Sequence, residues 1–204
     1  MNCKAHWEGV YTTKPSTEVS WYQAEPTLSL TLLREAGAGP AFTILDVGGG
    51  DSTLVDAILA EDLGRITVLD LSSAALARAR ARLGARADEI TWIDADVTQV
   101  ALPVHAFDIW HDRAVFHFLT EPEDRARYAG TAATALRPGG TIILATFAPD
   151  GPTHCSGLEV TRYTPEGLAR ELGDSFTLVR GFGDVHRTPS GQEQRFSVAV
   201  LRRQ

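Results

Sequence analysis

Carboxylates recur in this sequence within or at the end of short apolar runs, where a side chain can reach a ligand. Asp46 stands in the run Phe-Thr-Ile-Leu-Asp-Val, and Asp70 closes the run Arg-Ile-Thr-Val-Leu-Asp. A carboxylate can pair with an ammonium group or accept hydrogen bonds from two neighbouring hydroxyl groups. Asp70 follows Asp46 by 24 positions, close to the spacing of about 20 at which an acidic residue meets ribose hydroxyls in doubly wound folds. We therefore expect Asp46 to bind a cationic group and Asp70 a ribose.

Three consecutive glycines, Gly48, Gly49 and Gly50, follow the first of these runs. Glycine lets a ligand approach the backbone, and the start of the next helix offers unpaired amide groups. A dinucleotide-binding fingerprint would place a third glycine where Thr53 stands, and the carboxylate of Asp46 would repel a pyrophosphate. The turn therefore predicts a ligand with a positively charged end rather than a nicotinamide dinucleotide.

A second group of reactive side chains follows a predicted strand at 107–111. His111, Asp112, Arg113 and His117 lie within seven positions, and reactive groups in open α/β sheets lie beyond the carboxyl ends of the strands. Histidine titrates near neutral pH and could remove a proton from a substrate, although a histidine at a strand end is more often structural. We expect these four residues to carry the chemistry of the site.

Cys155 stands beside His154, a pair that resembles a nucleophile and its base. Neighbouring side chains on an extended backbone point apart, and two ligands are too few for a metal site. We therefore expect no metal, and we expect the segment 147–163 to line a substrate site without a catalytic cysteine.

The elements that would position these side chains alternate between strand and helix. Strands are predicted at 42–47, 65–70, 90–94, 107–111 and 136–145, and helices at 25–36, 52–60, 72–83, 121–136 and 164–172. Two further strands, 176–187 and 193–202, form a terminal hairpin. A helix between successive strands implies parallel pairing with right-handed crossovers. The pattern predicts an α/β fold with a doubly wound sheet.

The first 25 residues are polar but contain several aromatic side chains. Trp7 and Tyr11 are four positions apart and would share one face of a short helix, and Trp21 and Tyr22 follow in a loop. These rings either close over a bound ligand as a lid or anchor the segment to the domain. The sequence leaves both alternatives open.

Two motifs carry a resemblance to a known family. The segment Leu45 to Gly50, Leu-Asp-Val-Gly-Gly-Gly, resembles the first motif of the class I S-adenosylmethionine-dependent methyltransferases, with Ser52 in place of its last glycine. Leu136 to Gly140, Leu-Arg-Pro-Gly-Gly, is similar to the turn that precedes their fifth strand. The resemblance implies a Rossmann-like seven-stranded sheet, mostly parallel with one antiparallel C-terminal strand. The resemblance covers roughly residue 25 to the C-terminus. From the length of 204 residues we expect a single domain over 1–204, with a lid and leading helix at 1–36 and a cofactor-binding core at 42–204.

The resemblance assigns S-adenosylmethionine as the cofactor and gives each site residue a role. Asp46 and the glycines would contact the methionine portion, and Asp70 the ribose. Asp96 and Val97 would contact the adenine, with Asp94 as the alternative. The full set of expected cofactor-binding residues is Asp46, Gly48, Gly49, Gly50, Asp70, Leu71, Asp96, Val97, His111, Tyr11 and Trp21.

The acceptor is less well defined. Asp112-Arg113-Ala114 resembles a segment of thiol methyltransferases and of certain protein-lysine methyltransferases. Arg113 would either hold an anionic group of the acceptor or pair with Asp112 or Glu123. The Asn-Pro-Pro-Tyr segment of enzymes that methylate nucleobase amino groups is absent from the sequence, which disfavours DNA or RNA as the substrate.

Composition limits the remaining choices. A formal charge of −7 over 204 residues disfavours nucleic-acid partners, which need a basic surface. No apolar run approaches the roughly 20 residues that span a bilayer, and the two cysteines and the polar N-terminus favour the cytoplasm. We predict methyl transfer to a small-molecule acceptor. The alternatives are a protein-lysine methyltransferase, a non-catalytic cofactor-binding partner protein and, less favoured, a nicotinamide dehydrogenase.

Overall fold

The computed structural model of this protein describes residues 3–204. The helices are α1 (Cys3–Thr13), α2 (Thr27–Glu35), α3 (Leu54–Ala60), α4 (Ser73–Leu83), α5 (Pro122–Ala135) and α6 (Pro165–Leu172). The strands are β1 (Thr43–Val47), β2 (Arg65–Asp70), β3 (Thr91–Asp94), β4 (Phe107–Arg113), β5 (Leu136–Phe147), β6 (His154–Cys155), β7 (Leu158–Glu159), β8 (Phe176–Arg187) and β9 (Glu193–Arg203). Residues 1 and 2 of the predicted lid lie outside the described part.

Seven of these strands form one sheet in the order β3-β2-β1-β4-β5-β9-β8. The first five pair in parallel, and β9 inserts antiparallel between β5 and β8. This confirms the predicted seven-stranded, mostly parallel sheet with an antiparallel C-terminal strand. The strand order reverses between β1 and β4, and ligands of open α/β sheets bind at such a point.

Helices cover both faces of the sheet. Successive residues of a strand point to opposite faces, so Ile44 joins the apolar cluster that contains Leu33 of α2, whereas Leu45 joins the cluster that contains Tyr128 of α5. The two clusters bury the central strands on both sides. This rigid support fixes where the carboxyl ends of β1, β2 and β4 lie.

Local signals in the sequence account for the helix starts. The Ser72 side chain accepts a hydrogen bond from the amide of Ala75 and caps α4, and Thr164 caps α6 in the same way through Gly167. The amide of Leu54 donates to Oγ of Ser52, although α3 itself begins two residues after the predicted start.

The fourth strand differs from its prediction. It continues two residues further, because Asp112 and Arg113 pair with Leu144 and Ala145 of β5. Asp112 and Arg113 therefore belong to a strand and point to opposite faces of it, which separates two side chains that we expected to act together. Within residues 3–204, none of the helices has the length and apolar character needed to cross a membrane.

Candidate functional site

The glycine turn after β1 is packed so tightly that larger side chains do not fit. Gly48 has φ +66°, and a Cβ atom there would lie 2.0 Å from Cγ2 of Val115. A Cβ atom on Gly49 would lie 2.5 Å from Oδ2 of Asp46. The turn therefore presents bare backbone directly above the carboxylate of Asp46.

A small cavity of about 60 Å³ opens beside this turn. Asp46, Gly48 and Gly49 line one side of it, and His111 and Arg113 of β4 line another. The remaining wall comes from residues 51–54 and from α2 with the segment before it, which adds the polar side chains Ser16, Tyr22, Gln23 and Ser29. Two buried carboxylates thus line the cavity, Asp46 and Asp51. Asp51 is paired with Arg82, which leaves Asp46 and the neutral hydrogen-bonding groups to suit an amino acid.

His111 lies between Asp46 and Ser29 and is buried. Its Nδ1 is 2.7 Å from Oδ1 of Asp46, and its Nε2 is 2.8 Å from Oγ of Ser29. An ionised carboxylate can only accept, so Nδ1 donates to Asp46; in the neutral ring Nε2 then accepts from the serine hydroxyl. Both ring nitrogens are thus used within the protein. The predicted role of His111 as a base toward the acceptor does not fit this geometry.

A large cavity of about 530 Å³ extends over the carboxyl ends of β1, β2 and β3. Four of the residues that we expect to bind the cofactor line it: Asp70, Leu71, Asp96 and Val97. Five residues line both cavities: Tyr11, Trp21, Val47, Gly48 and Arg113. The two cavities therefore adjoin above Gly48, and one elongated ligand could occupy both.

Asp70 is buried at the end of β2, with 6% of its surface exposed. One of its oxygens accepts a hydrogen bond of 2.8 Å from the amide of Ser72. Burial, together with the charges of Asp46, Asp94 and Glu8, raises the pKa of Asp70 to about 7. Two donating hydroxyl groups would stabilise its charged form, and a ribose supplies such a pair.

Asp96 and Asp94 differ in position, which bears on their alternative roles. Oδ1 of Asp96 accepts from the amide and hydroxyl of Thr98, and the residue lines the large cavity. Asp94 is exposed, forms an ion pair of 2.5 Å with Lys4 and is absent from the cavity wall. The geometry favours Asp96 for the adenine.

The hydrogen bonds of Asp112 hold the protein chain together, which does not fit its predicted catalytic role. It is fully buried and accepts hydrogen bonds from the amides of Val115 and Phe116 and from the Tyr128 hydroxyl. Burial raises its pKa to about 6 despite these bonds. It lines neither cavity, so it holds the chain after β4 rather than a substrate.

His117 is likewise removed from the acceptor. It is fully buried between Phe118 and Phe147, and its Nδ1 accepts from the amide of Phe147. Burial, with a smaller contribution from the charge of Arg113, lowers its pKa to about 3. A ring with so low a pKa is a weak base, and it lines neither cavity, so it does not fit the predicted role of a base toward the acceptor.

Arg113 is the one residue of this predicted group that lines both cavities and has no competing ionic partner. The sequence left open an ion pair of Arg113 with Asp112 or Glu123. Among the described residues, Arg113 forms no ion pair with either of these or with any other carboxylate. Its Nη1 donates to the carbonyl of Trp21 at 3.2 Å. It remains a candidate for binding ligands.

The aromatic N-terminal segment covers this part of the sheet. The ring of Trp7 lies 6.4 Å from that of Tyr11, 5.6 Å from that of Trp21 and 5.1 Å from that of Phe118. All four residues line the large cavity, and Trp21 also packs against the core. The same rings therefore fit both predicted roles, closing over a ligand and anchoring the segment.

The segment after β5 contributes the far wall through Cys155, Leu158 and Glu159. Burial raises the pKa of the Cys155 thiol to about 11, so it stays protonated and is a poor nucleophile at neutral pH. The exposed His154 faces Glu159 across the β6–β7 ribbon. This agrees with a lining role.

Sequence reasoning missed two polar contacts of the site. Ser29 is buried on an otherwise apolar face of α2 and reaches His111 across 82 positions. Glu8 accepts from the amides of Ser73 and Ala74 and so caps α4 from α1. The sequence could have indicated the contact of Ser29, because a polar residue stands among the leucines of α2. It contains no local signal for the contact between Glu8 and α4.

Together these residues fit a ligand with three parts. Asp46 lines the small cavity, and Asp70 and Asp96 line the large one; carboxylates can pair with an ammonium group and accept hydrogen bonds from a diol or an amine. The Cβ of a side chain at Gly50 would lie 2.8 Å from Oδ2 of Asp70, so the turn also keeps this carboxylate accessible. The set matches the chemistry of S-adenosylmethionine.

Comparison with known proteins agrees with this assignment. A family model described as a methyltransferase domain matches residues 44–140. This range contains the glycine turn, Asp70, Asp96 and β4. A search among curated proteins found no match.

Solved structures share the fold over nearly the whole chain. A methyltransferase dependent on S-adenosylmethionine from Anabaena variabilis has 17% identity, covers 100% of this chain and 96% of its own, and gives a TM-score of 0.77. A protein from work on the conversion of a disulfide bond into a thioacetal group during echinomycin biosynthesis has 20% identity, with coverages of 98% and 92% and a TM-score of 0.75. The 1,6-didemethyltoxoflavin-N1-methyltransferase of Burkholderia thailandensis, solved with 1,6-didemethyltoxoflavin and S-adenosylhomocysteine, has 21% identity, coverages of 98% and 86%, and a TM-score of 0.69.

Proposed function

We propose that this chain, in which a methyltransferase-domain model matches residues 44–140, transfers the methyl group of S-adenosylmethionine to a small-molecule acceptor. The observation that carries the proposal is the large cavity, which continues past Asp70 and Asp96 to a second wall formed by the residues after β4 and the β6–β7 ribbon. Its volume of about 530 Å³ lies within the range typical of small-molecule sites. The Burkholderia thailandensis neighbour is named for, and contains, a small-molecule substrate.

We assign the binding roles from the positions of the polar groups. Asp46 would pair with the ammonium of the cofactor, Asp70 would accept from its ribose and Asp96 from its adenine. Gly48, Gly49 and Gly50 would admit the ligand to the backbone, and Leu71 and Val97 would contact it in the large cavity. Tyr11 and Trp21 would cover it from the N-terminal side.

The cofactor supplies a methyl group already activated on a sulfonium sulfur, so the protein needs no nucleophile. What the chain can contribute is alignment of the acceptor with the methyl carbon and exclusion of water, and such positioning lowers the barrier substantially. Trp7, Trp21 and Phe118 form an apolar roof suited to this. His111, whose ring nitrogens are both used, would act as a positioning residue for Asp46.

Two experiments test this function. Isothermal titration with S-adenosylhomocysteine should give a single binding event that is lost in Asp46→Ala. Incubation with methyl-labelled cofactor and a cell lysate should then place the label in the small-molecule fraction. Label in protein would favour the protein-lysine alternative, and cofactor binding without any turnover would favour a non-catalytic partner protein.

The acidic mouth of the large cavity gives the protein-lysine alternative specific support. Glu121, Asp124 and Glu159 line the cavity and would attract an incoming lysine ammonium. The same charges would repel nucleic acids. We propose the cytoplasm as the location of the enzyme, which fractionation of cells that express a tagged chain would test.

A further inference from the structure

The guanidinium of Arg113 is enclosed in the protein without a full set of partners. Its Nη1 donates to the carbonyl of Trp21 at 3.2 Å, whereas its Nη2 is buried and has no hydrogen-bond partner. Its central carbon lies 4.9 Å from the centre of the Phe196 ring. Across residues 3–204, no carboxylate oxygen approaches it within ion-pair distance.

An enclosed and incompletely paired charge is costly for a folded protein. Burial lowers the pKa of Arg113 to about 10, with Asp184 and Cys155 acting weakly in the opposite direction, so the group is still charged at neutral pH. Buried charges are normally paired, and leaving one unpaired costs several kcal/mol. A residue that keeps such a charge beside a cavity is a candidate for binding an anion that enters the cavity.

The surroundings of Arg113 indicate what kind of anion fits. It lines both cavities, and within the described chain no other lysine or arginine lines either one. Its neighbours on the wall of the large cavity include the apolar side chains of Val115, Phe118 and Leu158. The planar guanidinium matches a carboxylate in a two-point contact.

We infer that Arg113 binds the carboxylate of an apolar acceptor at the junction of the two cavities. This inference rests on the proposed function and specifies its substrate class. The cofactor's own carboxylate has other donors available, because the side chains of Tyr22 and Gln23 line the small cavity beside Asp46, whereas Ser16 donates to Asp51. Arg113 is therefore left for the second substrate.

The acidic mouth of the large cavity is compatible with such an acceptor. Glu121 and Glu159 are exposed, so water and salt screen their charges. A single carboxylate that passes them gains a contact with an enclosed guanidinium. A polyanion would remain at the mouth and meet repulsion from several carboxylates at once.

The test uses two probes that differ only in charge, 2-naphthoate and 2-naphthamide, titrated into the protein saturated with S-adenosylhomocysteine. The wild-type protein should bind the carboxylate about tenfold more tightly than the amide, the difference expected for a charge-assisted contact. Arg113→Gln should abolish this preference, and Arg113→Lys should retain part of it. Affinity for S-adenosylhomocysteine, titrated first for each protein, should change less than twofold.

Arg180→Gln is the matched control, because Arg180 also lies over a phenylalanine ring, that of Phe182, but pairs with Glu35 on the exposed surface. It should keep the preference for the carboxylate. Equal binding of the two probes by the wild-type protein would overturn the inference while leaving the proposed function intact. Loss of S-adenosylhomocysteine binding in both Arg113 variants would overturn it as well, by assigning Arg113 to the cofactor. Failure of the wild-type protein to bind S-adenosylhomocysteine would instead contradict the proposed function itself.

Discussion

Nδ1 of His111 lies 2.7 Å from Oδ1 of Asp46, and the two residues face each other in register on β4 and β1. The contact holds the carboxylate below the glycine turn, while its second oxygen lies close to Gly49. Asp46 is therefore oriented before any ligand arrives, and a carboxylate held in this way loses little conformational freedom on binding. His111 contributes to the site through Asp46 rather than through the acceptor.

Replacing Asp46 by asparagine should weaken cofactor binding strongly. The amide keeps the shape but loses the charge that would pair with an ammonium group, so we expect a loss of about tenfold to one-hundredfold in affinity. Isothermal titration with S-adenosylhomocysteine measures it. Asp88→Asn, at an exposed aspartate outside both cavities, should leave the affinity unchanged. Equal affinities of the two variants would show that Asp46 does not contact the ligand.

Ser29→Ala should lower stability because it removes the partner of Nε2 of His111 inside the core. A buried polar atom left without a partner costs about 1 to 3 kcal/mol, which corresponds to a fall in Tm of roughly 2 to 12 °C for a chain of this size. Thermal unfolding followed by circular dichroism gives the value. Thr31→Ala, on the exposed side of the same helix, is the control, and a similar small change in both variants would contradict the role assigned to Ser29.

Affinity for S-adenosylhomocysteine should increase as the pH rises through 7. The pKa of Asp70 is raised to about 7 in the ligand-free protein, and a ribose that donates two hydrogen bonds favours the charged carboxylate, so binding releases a proton. Between pH 6 and pH 8 the affinity should rise by up to about tenfold. Titrations in two buffers with different ionisation enthalpies detect the released proton. The dependence should vanish in Asp70→Asn, and its persistence there would assign it to another group.

Glu8→Ala should loosen the N-terminal helix over the cavities. Burial alone would raise the pKa of Glu8, but hydrogen bonds from Ser73, Ala74 and Ser72 outweigh it and hold the pKa below its usual 4.5. The contact therefore stabilises the folded state above that pH and is lost as the pH falls below it. Chymotryptic cleavage after Tyr11, which is buried in α1, should accelerate several-fold in the variant. Glu18→Ala, at an exposed position with no recorded side-chain partner, should cleave at the wild-type rate; equal rates in all three proteins would contradict the capping role.

The sequence predicted the fold, and it singled out Asp46, Asp70 and Asp96, which line the two cavities, whereas its expectations for Asp112 and His117 do not fit the structure. Asp46, Asp70 and Asp96 follow from strand ends, which hydrophobic runs and glycines mark locally. The acceptor side depends on where β4 stops. Its two additional residues are set by pairing with β5, a long-range contact without a local signal in the sequence. Because successive strand residues point to opposite faces, the extension buries Asp112 and leaves Arg113 on the walls of the cavities.

The contacts of Ser29 and His117 show the same limitation. Ser29 meets His111 only because α2 packs against the end of β4, and His117 is enclosed by Phe147 of β5. Sequence spacing identifies residue types that can do chemistry, but tertiary packing decides which of them reach a ligand. A histidine after a strand was therefore a weak guide to a cavity-lining position, whereas the carboxylate beside the glycine turn does line a cavity.

Gly48→Ala tests whether close packing at the turn is essential. The added Cβ would lie 2.0 Å from Cγ2 of Val115, and overpacking of this kind costs about 1 to 3 kcal/mol in addition to the strain of a positive φ. Gly139 also has a positive φ, of +77°, but a Cβ there meets nothing within 4 Å, so Gly139→Ala measures the strain alone. Adding Val115→Ala to Gly48→Ala should recover part of the lost stability and of the S-adenosylhomocysteine affinity, because the two substitutions affect one contact. Strictly additive losses in the double variant would show that the strained backbone, and not contact with Val115, excludes a side chain from this turn.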